Sequence, residues 1–239
     1  MKVGGLWIYP VKSLGGVAAP TADLEPRGFS GDRRWMIVDA AGRFVTRREV
    51  PELARIDLSL AGEGGYRLSA PEGEALLAVE AEGGISAPVT VWRDTVEALV
   101  VENAASALIS HVAGRPLRLA FMPEASRRAV DAAYAMPGEH VSFADGFPLL
   151  VTTQASLAAL NASLEQPVPM ERFRPNIVLT GEELAPWAEA DWASISVGPV
   201  RLRMTKPCAR CIVITQDHRT GERADGNAGP MALRRLARV

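Results

Sequence analysis

The chain contains two cysteines, Cys208 and Cys211, and both lie in the segment 206–215. Arg210 stands between them, and Pro207 stiffens the chain just before them. A guanidinium beside a thiol favours the ionised form of that thiol, and a thiolate is a nucleophile or a soft metal ligand. The spacing and neighbours of these residues therefore make a functional thiol one candidate for this segment.

Other interpretations of the two cysteines stay open. They could be small packed hydrophobic residues, or they could form a disulfide. They could also be half of a zinc site, which needs about four ligands. The chain has 3 histidines, none in paired spacing. A thioredoxin-like motif would begin a helix, and the β-branched residues after Cys211 argue against that fold.

The segments around the cysteines predict how they are positioned. Apolar and polar residues alternate over 200–205, which predicts a strand, and the run Ile212–Thr215 predicts a second strand. A turn signal follows at 217–221. We therefore expect the cysteines to lie on a loop where two strands meet.

The composition narrows the class of protein. The chain has 239 residues, 48% of them hydrophobic and 23% charged, with a net charge of −2. These values are typical of a globular protein, and they indicate no nucleic-acid partner. No apolar run is long enough to cross a bilayer, and the N-terminus does not look like a signal peptide. We expect a cytoplasmic protein with no membrane span and with reduced cysteines.

The rest of the pattern predicts a mixed α/β, β-rich fold. Short β-type segments separated by Gly and Pro recur through 56–101, which favours a sandwich or a barrel. Helices are predicted at 104–113 with Asn103 as cap, at about 154–164 with Thr153 as cap, and after Pro230. Residues 122–148 are predicted to be mostly loop. Further strands are expected at 6–9, 35–38, 44–46, 117–121, 149–152 and 177–180.

Basic residues stand where these predicted strands begin or end. One lysine and five arginines share this placement, namely Lys12, Arg33, Arg34, Arg47, Arg174 and Arg210. The hairpin predicted at 35–46 would also bring Arg33, Arg34, Arg47 and Arg48 together. A ring of such groups at one rim suits a multiply anionic ligand, and Ser13, Ser142 and Asn176 could bond to a heterocycle. Phosphate, a heterocycle and a soft metal together describe molybdopterin that holds molybdenum.

Four segments then resemble successive signatures of one family. They are Tyr9-Pro10-Val11-Lys12-Ser13, Asp32-Arg33-Arg34-Trp35 with Val45-Thr46-Arg47, Phe173-Arg174-Pro175-Asn176-Ile177, and Cys208-x-Arg210-Cys211. In this order they resemble MOSC proteins, in the group with an N-terminal MOSC barrel domain that includes the mitochondrial amidoxime-reducing component and its bacterial relatives. The resemblance covers residues 7 to about 221.

The resemblance implies two β-barrel domains, which we place at 1–118 and 119–239, with molybdenum cofactor held between them. It implies that Cys211 is the catalytic molybdenum ligand. Pterin and phosphate would be held by Lys12, Ser13, Arg33, Arg174, Asn176 and Arg210, with Arg34 and Arg47 at the same rim. Ser142 and Asp145 would line the loop over the cofactor. The family pattern continues with a Phe-Gly segment and a last strand beyond Val239, so we expect a short second domain.

The activity that the resemblance implies is the two-electron reduction of small N-hydroxylated compounds, with release of water. Because the sequence has no cysteine cluster for iron–sulfur, the electrons would come from a separate protein of the ferredoxin, flavodoxin or cytochrome type. Two alternatives remain at this point. One is a sulfur or molybdenum cofactor carrier that uses a Cys211 persulfide, and the other is a non-catalytic barrel that binds an anionic nucleotide or nothing.

Overall fold

The computed structural model describes residues 1–62 and 64–223, and it is rich in β-strands. The strands up to residue 101 are β1 Lys2–Ile8, β2 Val17–Ala19, β3 Leu24–Glu25, β4 Gly28–Phe29, β5 Trp35–Val38, β6 Asp57–Ala61, β7 Gly65–Ala70, β8 Gly73–Ala78, β9 Ile85–Val91 and β10 Asp94–Val101. The later strands are β11 Arg118–Phe121, β12 Arg128–Ala129, β13 His140–Val141, β14 Val151–Thr153, β15 Ile177–Thr180, β16 Ser194–Val197 and β17 Val200–Arg203. The helices are α1 Ala104–Ala113 and α2 Gln154–Asn161. Short 3-10 helices lie at Pro51–Arg55, Met170–Phe173, Ala188–Ala190 and Ile212–Thr215.

One sheet joins the beginning of the chain to its second half. Its strand order is β14-β15-β1-β2, in which β1 is antiparallel to β15 and β14 is parallel to β15. Leu6 faces Ile177 across this pairing, so the end of β1 lies beside the start of β15. The loops that follow β1 and precede β15 therefore lie at the same edge of the sheet.

Two further sheets enclose the largest apolar core. Their strand orders are β5-β11-β10-β9 and β6-β7-β8, and α1 packs against β8 and β11. Trp35, Leu68 and Ile109 are among the buried residues where these elements meet. Apolar burial of this kind contributes roughly 25 cal/mol per Å², so this core is a main source of stability. Among the described residues, no sheet closes on itself into a barrel.

Both predicted helix starts are confirmed. The Asn103 side chain accepts a hydrogen bond from the Ser106 N–H, and the Thr153 side chain accepts one from the Ser156 N–H. Each bond satisfies one of the free N–H groups that begin a helix. Helix α1 ends at Gly114, which has a left-handed backbone. The β-rich fold class and the strands predicted within 56–101 are confirmed as well.

The strand predicted at 212–215 is wrong. These β-branched residues form a 3-10 helix, in which the Thr215 hydroxyl donates to the Ile212 carbonyl at 2.7 Å. Strand β17 is already paired with β16, and Ile214 is buried in another apolar cluster. Local β propensity loses here because packing decides the conformation of short segments. The cysteines therefore lie between a strand and a 3-10 helix.

One other predicted segment, the strand at 44–46, differs from the structure. Phe44 makes only an isolated bridge to Val38 instead of beginning a strand, although the Val45 N–H still donates to the Ile37 carbonyl. Residues 122–148 are mostly loop, as predicted, and contain the short strand pair β12 and β13. The helix predicted after Pro230 lies outside the described residues. The domain boundary near residue 118 stays a prediction.

Candidate functional site

Three loops meet at the edge where β1 ends and β15 begins. The Arg33 N–H donates to the Tyr9 carbonyl at 2.7 Å, and the Trp35 N–H donates to the Pro10 carbonyl at 3.0 Å. The Lys12 N–H in turn donates to the Trp35 carbonyl at 2.8 Å. The backbone thus fixes the loop after β1 against the start of β5. The segment before β15 is the third loop, and its Asn176 side chain bonds to Trp7 in β1 and to Arg33.

Asp32 and Asn176 form a buried polar hub below this edge. Asn176 is completely buried, and its amide donates to Trp7 O and Asp32 Oδ1, both at 3.1 Å. Its carbonyl oxygen accepts from the Arg33 guanidinium at 2.9 Å and from the Leu150 N–H at 3.1 Å. All hydrogen-bonding capacity of this side chain is therefore used inside the protein, which is the condition for stable polar burial.

Two arginines lie over one buried aromatic ring at this edge. The guanidinium carbons of Arg33 and Arg174 are 4.6 and 4.3 Å from the centre of the Tyr9 ring. Arg33 also donates to Asp32 Oδ2 at 2.6 Å, and Arg174 donates to the Leu14 carbonyl. Burial, and then the charge of Arg33, lowers the pKa of Arg174 to about 10. Two close positive charges create a strong local field for an anion.

Lys12 extends this positive group toward the loop at 143–145. Its ammonium donates to the Phe143 carbonyl at 2.8 Å and pairs with Asp145. Burial, together with nearby Arg128 and Arg33, outweighs Asp145 and lowers the pKa of Lys12 to about 8. Desolvation raises the pKa of the Asp145 carboxyl, but the opposing effects of Lys12 and the Trp92 N–H are larger. The net result is a pKa lowered to about 2. Lys12, Arg33 and Arg174 are called the cationic row below.

The backbone around the cationic row is strained. Ser13, Arg33 and Arg174 have φ angles of 75°, 48° and 55°, in the left-handed region that favours glycine. Two tryptophans, Trp92 and Trp187, are the other non-glycine residues with positive φ among the described residues. Such conformations cost on the order of 1–3 kcal/mol each, and they concentrate at functional sites. The strain therefore marks this edge independently of its charge.

The cysteine segment reaches the same region through Arg210. Its guanidinium donates to the Phe173 carbonyl at 3.1 Å, one residue before Arg174. Burial lowers the pKa of Arg210, and the two nearby thiols oppose that shift. Both cysteines are free, with Cys208 partly buried and Cys211 exposed, so the disulfide interpretation is not realised in this structure. Cys211 is available as a ligand or nucleophile, whereas a packed core thiol would not be.

The remaining predicted residues occupy different places. Ser142 is buried, and its hydroxyl donates to the Asp32 carbonyl at 2.8 Å, so it supports the hub. Arg47 lies near Arg174, and burial and that charge lower the pKa of Arg47 to about 9. Its guanidinium donates to the carbonyls of Ala54 and His218.

Arg34 lies apart from the cationic row. Its guanidinium donates twice to the Met122 carbonyl and faces Glu25 at 3.8 Å and Glu124 at 3.6 Å. Arg33 has a left-handed backbone and its guanidinium turns to Asp32 and Asn176, whereas the Arg34 guanidinium bonds to Met122. The predicted cluster of four neighbouring arginines is therefore divided.

Sequence reasoning did not assign Tyr9, Asp32, Trp92 or Phe44 to the site. Tyr9 and Asp32 stand inside the first two quoted segments, so their place beside Lys12 and Arg33 was a usable signal. Trp92 lies far from those segments in sequence, whereas Phe44 directly precedes Val45 of the second segment. Their proximity to Lys12, at 5.7 and 5.9 Å from ring centre to ammonium, depends on tertiary structure.

Comparison with known proteins agrees with this architecture. The chain matches the MOSC N-terminal beta barrel domain over residues 1–116 and the MOSC domain over residues 138–237. The chain belongs to the MOSC family.

Its curated relatives include amidoxime-reducing components. Mitochondrial amidoxime-reducing component 1 is 35% identical in Homo sapiens and 32% identical in Mus musculus, over 92% of this chain and 67% and 66% of theirs. Mitochondrial amidoxime reducing component 2 of Homo sapiens is 29% identical over 92% of this chain and 68% of its own. The chain thus spans about two thirds of the length of these relatives. None of the described helices is long and apolar enough to cross a membrane.

Proposed function

We propose that this protein is an oxidoreductase that binds molybdenum cofactor and reduces N-hydroxylated compounds, with Cys211 as the protein ligand of the metal. The observation behind this proposal is the coincidence of strain and charge at one edge. Arg33 and Arg174 have left-handed backbones and share the Tyr9 ring, and Lys12 lies beside them. The names of the relatives supply the reaction class.

The donor set fits such a cofactor. Its phosphate and pterin need several cationic and polar donors, and its metal favours a thiolate. Lys12, Arg33 and Arg174 would hold the phosphate-bearing part, with the backbone strain of Ser13 presenting that loop. Arg210 precedes the exposed Cys211 in the chain, and its guanidinium donates to the carbonyl of Phe173, the residue before Arg174. It therefore connects Cys211 with the cationic row.

The residues of the chain would bind, orient and tune, as proteins do for redox cofactors. When bound, molybdenum supplies the two-electron chemistry by which an N–OH group, two electrons and two protons become N–H and water. Asp32 and Asn176 keep the Arg33 guanidinium oriented. Arg210 interacts electrostatically with Cys208 and Cys211, so its charge lies near the sulfur that would meet the metal.

A separate protein would supply the electrons in this proposal. The two cysteines of the chain are too few for an iron–sulfur centre, which needs about four ligands. We expect a donor of the ferredoxin, flavodoxin or cytochrome type, and a small-molecule substrate. The cytoplasmic location also stays a prediction, and the curated relatives are named mitochondrial.

Elemental analysis of protein from a molybdenum-replete host tests the proposal. Wild type and Cys208→Ser should contain close to one molybdenum per chain and should reduce an amidoxime with a chemical reductant. Cys211→Ser should lose the metal and the activity while it keeps its thermal midpoint. Equal, substoichiometric molybdenum in wild type and Cys211→Ser would refute the proposal. Sulfane sulfur on Cys211 without reductase activity would instead support the carrier alternative.

A further inference from the structure

Trp92 occupies a turn position that its residue type does not explain. Val91 pairs with Asp94, so the hairpin between β9 and β10 has the two-residue turn Trp92-Arg93. Residues such as Asn and Gly usually fill positions of positive φ in such turns. Trp92 instead adopts a φ of 58° and leaves 42% of its surface exposed. A strained, exposed indole suggests a role for its side chain outside the fold.

The indole is nevertheless held firmly in place. Its N–H donates to Asp145 Oδ1 at 3.1 Å, and its ring centre is 5.0 Å from that of Phe44. The guanidinium carbon of Arg48 is 4.4 Å from the centre of the indole ring. Asp145 is also the ion-pair partner of Lys12. The aromatic pair is therefore linked to the cationic row through Asp145 and Lys12.

Arg48 adds a positive charge that the described part of the protein does not neutralise. Within residues 1–62 and 64–223, its guanidinium has no carboxylate within ion-pair distance. Its Nε–H donates to the Thr46 hydroxyl at 3.3 Å. The guanidinium is only partly buried. It keeps donors available for an anion, and the fork geometry of arginine suits carboxylate or phosphate.

We propose that Trp92, Phe44 and Arg48, the aromatic annex, form a binding site for a planar ring that bears an anionic group. The ring would pack on the exposed part of the aromatic pair, and the anion would pair with Arg48. Such a ligand could be an aryl carboxylate or a nucleotide-like phosphate, which share this chemistry. The annex depends on its own contacts, so the inference stands whether or not the protein binds molybdenum.

Isothermal titration of the whole chain with two matched probe pairs tests the annex. One pair is 2-naphthoate and 2-naphthamide, and the other is adenosine monophosphate and adenosine. In at least one pair the anionic member should bind the wild type about fivefold more tightly than its neutral analogue. The pair that shows this preference identifies the source of the ring.

Three variants separate the roles of ring, charge and fold. Arg48→Gln should abolish the preference for the anion, whereas Arg93→Gln, at the exposed neighbouring turn position, should keep it. Trp92→Asn should lower the affinity for both probes of the pair about tenfold, as expected for loss of stacking. Because Asn tolerates positive φ, the thermal midpoint of the Trp92→Asn variant should stay within about 3 °C of wild type.

Several outcomes would overturn the annex. They are equal binding of anionic and neutral probes to the wild type, indistinguishable behaviour of Arg48→Gln and Arg93→Gln, and full binding by Trp92→Asn. Phe44→Leu provides a second ring variant if Trp92→Asn does not fold. Phe44→Leu should also lower the affinity for both probes of the pair that binds the wild type. An unchanged affinity would contradict the proposal.

Discussion

The cationic row and the cysteine segment are built in opposite ways. Lys12, Arg33 and Arg174 are fixed by buried carbonyls, the Tyr9 ring and the Asp32–Asn176 hub. Cys211 lies between β17 and a short 3-10 helix, with its thiol exposed. The first region combines strained backbone with several desolvated charges, whereas the cysteine segment has one buried charge, Arg210, and no residue of positive φ.

This difference separates two tasks. Anion binding gains from preorganised charge, because side chains that are already ordered lose little entropy when a ligand arrives. A thiol that must meet a metal or a substrate has to stay accessible. Substitutions in the residues that support the cationic row should therefore lower the stability of the protein. Substitutions in the cysteine segment should impair function but change stability little.

The largest expected effect comes from the hub. Asn176→Leu removes four hydrogen bonds and leaves Asp32 and Arg33 with lost partners. We expect the free energy of unfolding to fall by about 3–5 kcal/mol, as for other broken buried networks. Cys208→Ala in the other region should change it by less than about 1 kcal/mol. Urea unfolding of both variants measures the contrast, and equal losses would contradict it.

A second effect concerns the charge of Lys12. Lys12→Met should weaken the binding of inorganic pyrophosphate by about tenfold or more, since a buried cation would be lost from the row. Lys12→Arg keeps the charge and should retain most of the affinity. Titration calorimetry compares the two variants with wild type. If both variants bind as the wild type does, Lys12 is not part of the anion site.

The pKa of Lys12 gives the row a pH dependence. Its value of about 8 means that Lys12 is charged below this pH and neutral above it, with Asp145, Arg33 and Arg128 facing it. The affinity for inorganic sulfate, whose charge stays constant, should fall several-fold as the pH rises from about 7 to about 9. Lys12→Arg should show a flat profile over the same range. A wild-type profile that is equally flat would exclude Lys12 as the responsible group.

The smallest expected effect concerns backbone strain. Ser13 has a φ of 75°, so Ser13→Gly should relieve strain and raise the free energy of unfolding by about 0.5–1 kcal/mol. Ala209 in the cysteine segment has no positive φ, so Ala209→Gly should lower stability or leave it unchanged. Thermal unfolding distinguishes the two signs. A loss of stability in Ser13→Gly would mean that the hydroxyl matters more than the strain.

Local patterns in the sequence were enough to predict much of this protein. The caps Asn103 and Thr153, the alternating strands of 56–101 and the segments that resemble the MOSC family depend on neighbours in the chain, and the structure and the comparisons confirm them. Basic residues at strand ends also pointed to a shared edge. The roles assigned to individual site residues remain predictions.

Tertiary structure alone decided which of these residues meet. Burial of Ile214 turned a β-branched segment into a 3-10 helix, and Arg34 bonds to the Met122 carbonyl instead of joining Arg33 beside Asn176. The pairing of β1 with β15 placed Asn176 under Arg33, and the turn after β9 placed Trp92 beside Lys12. These contacts join residues about 50 to 140 positions apart, where local propensity has no influence and packing selects the partner.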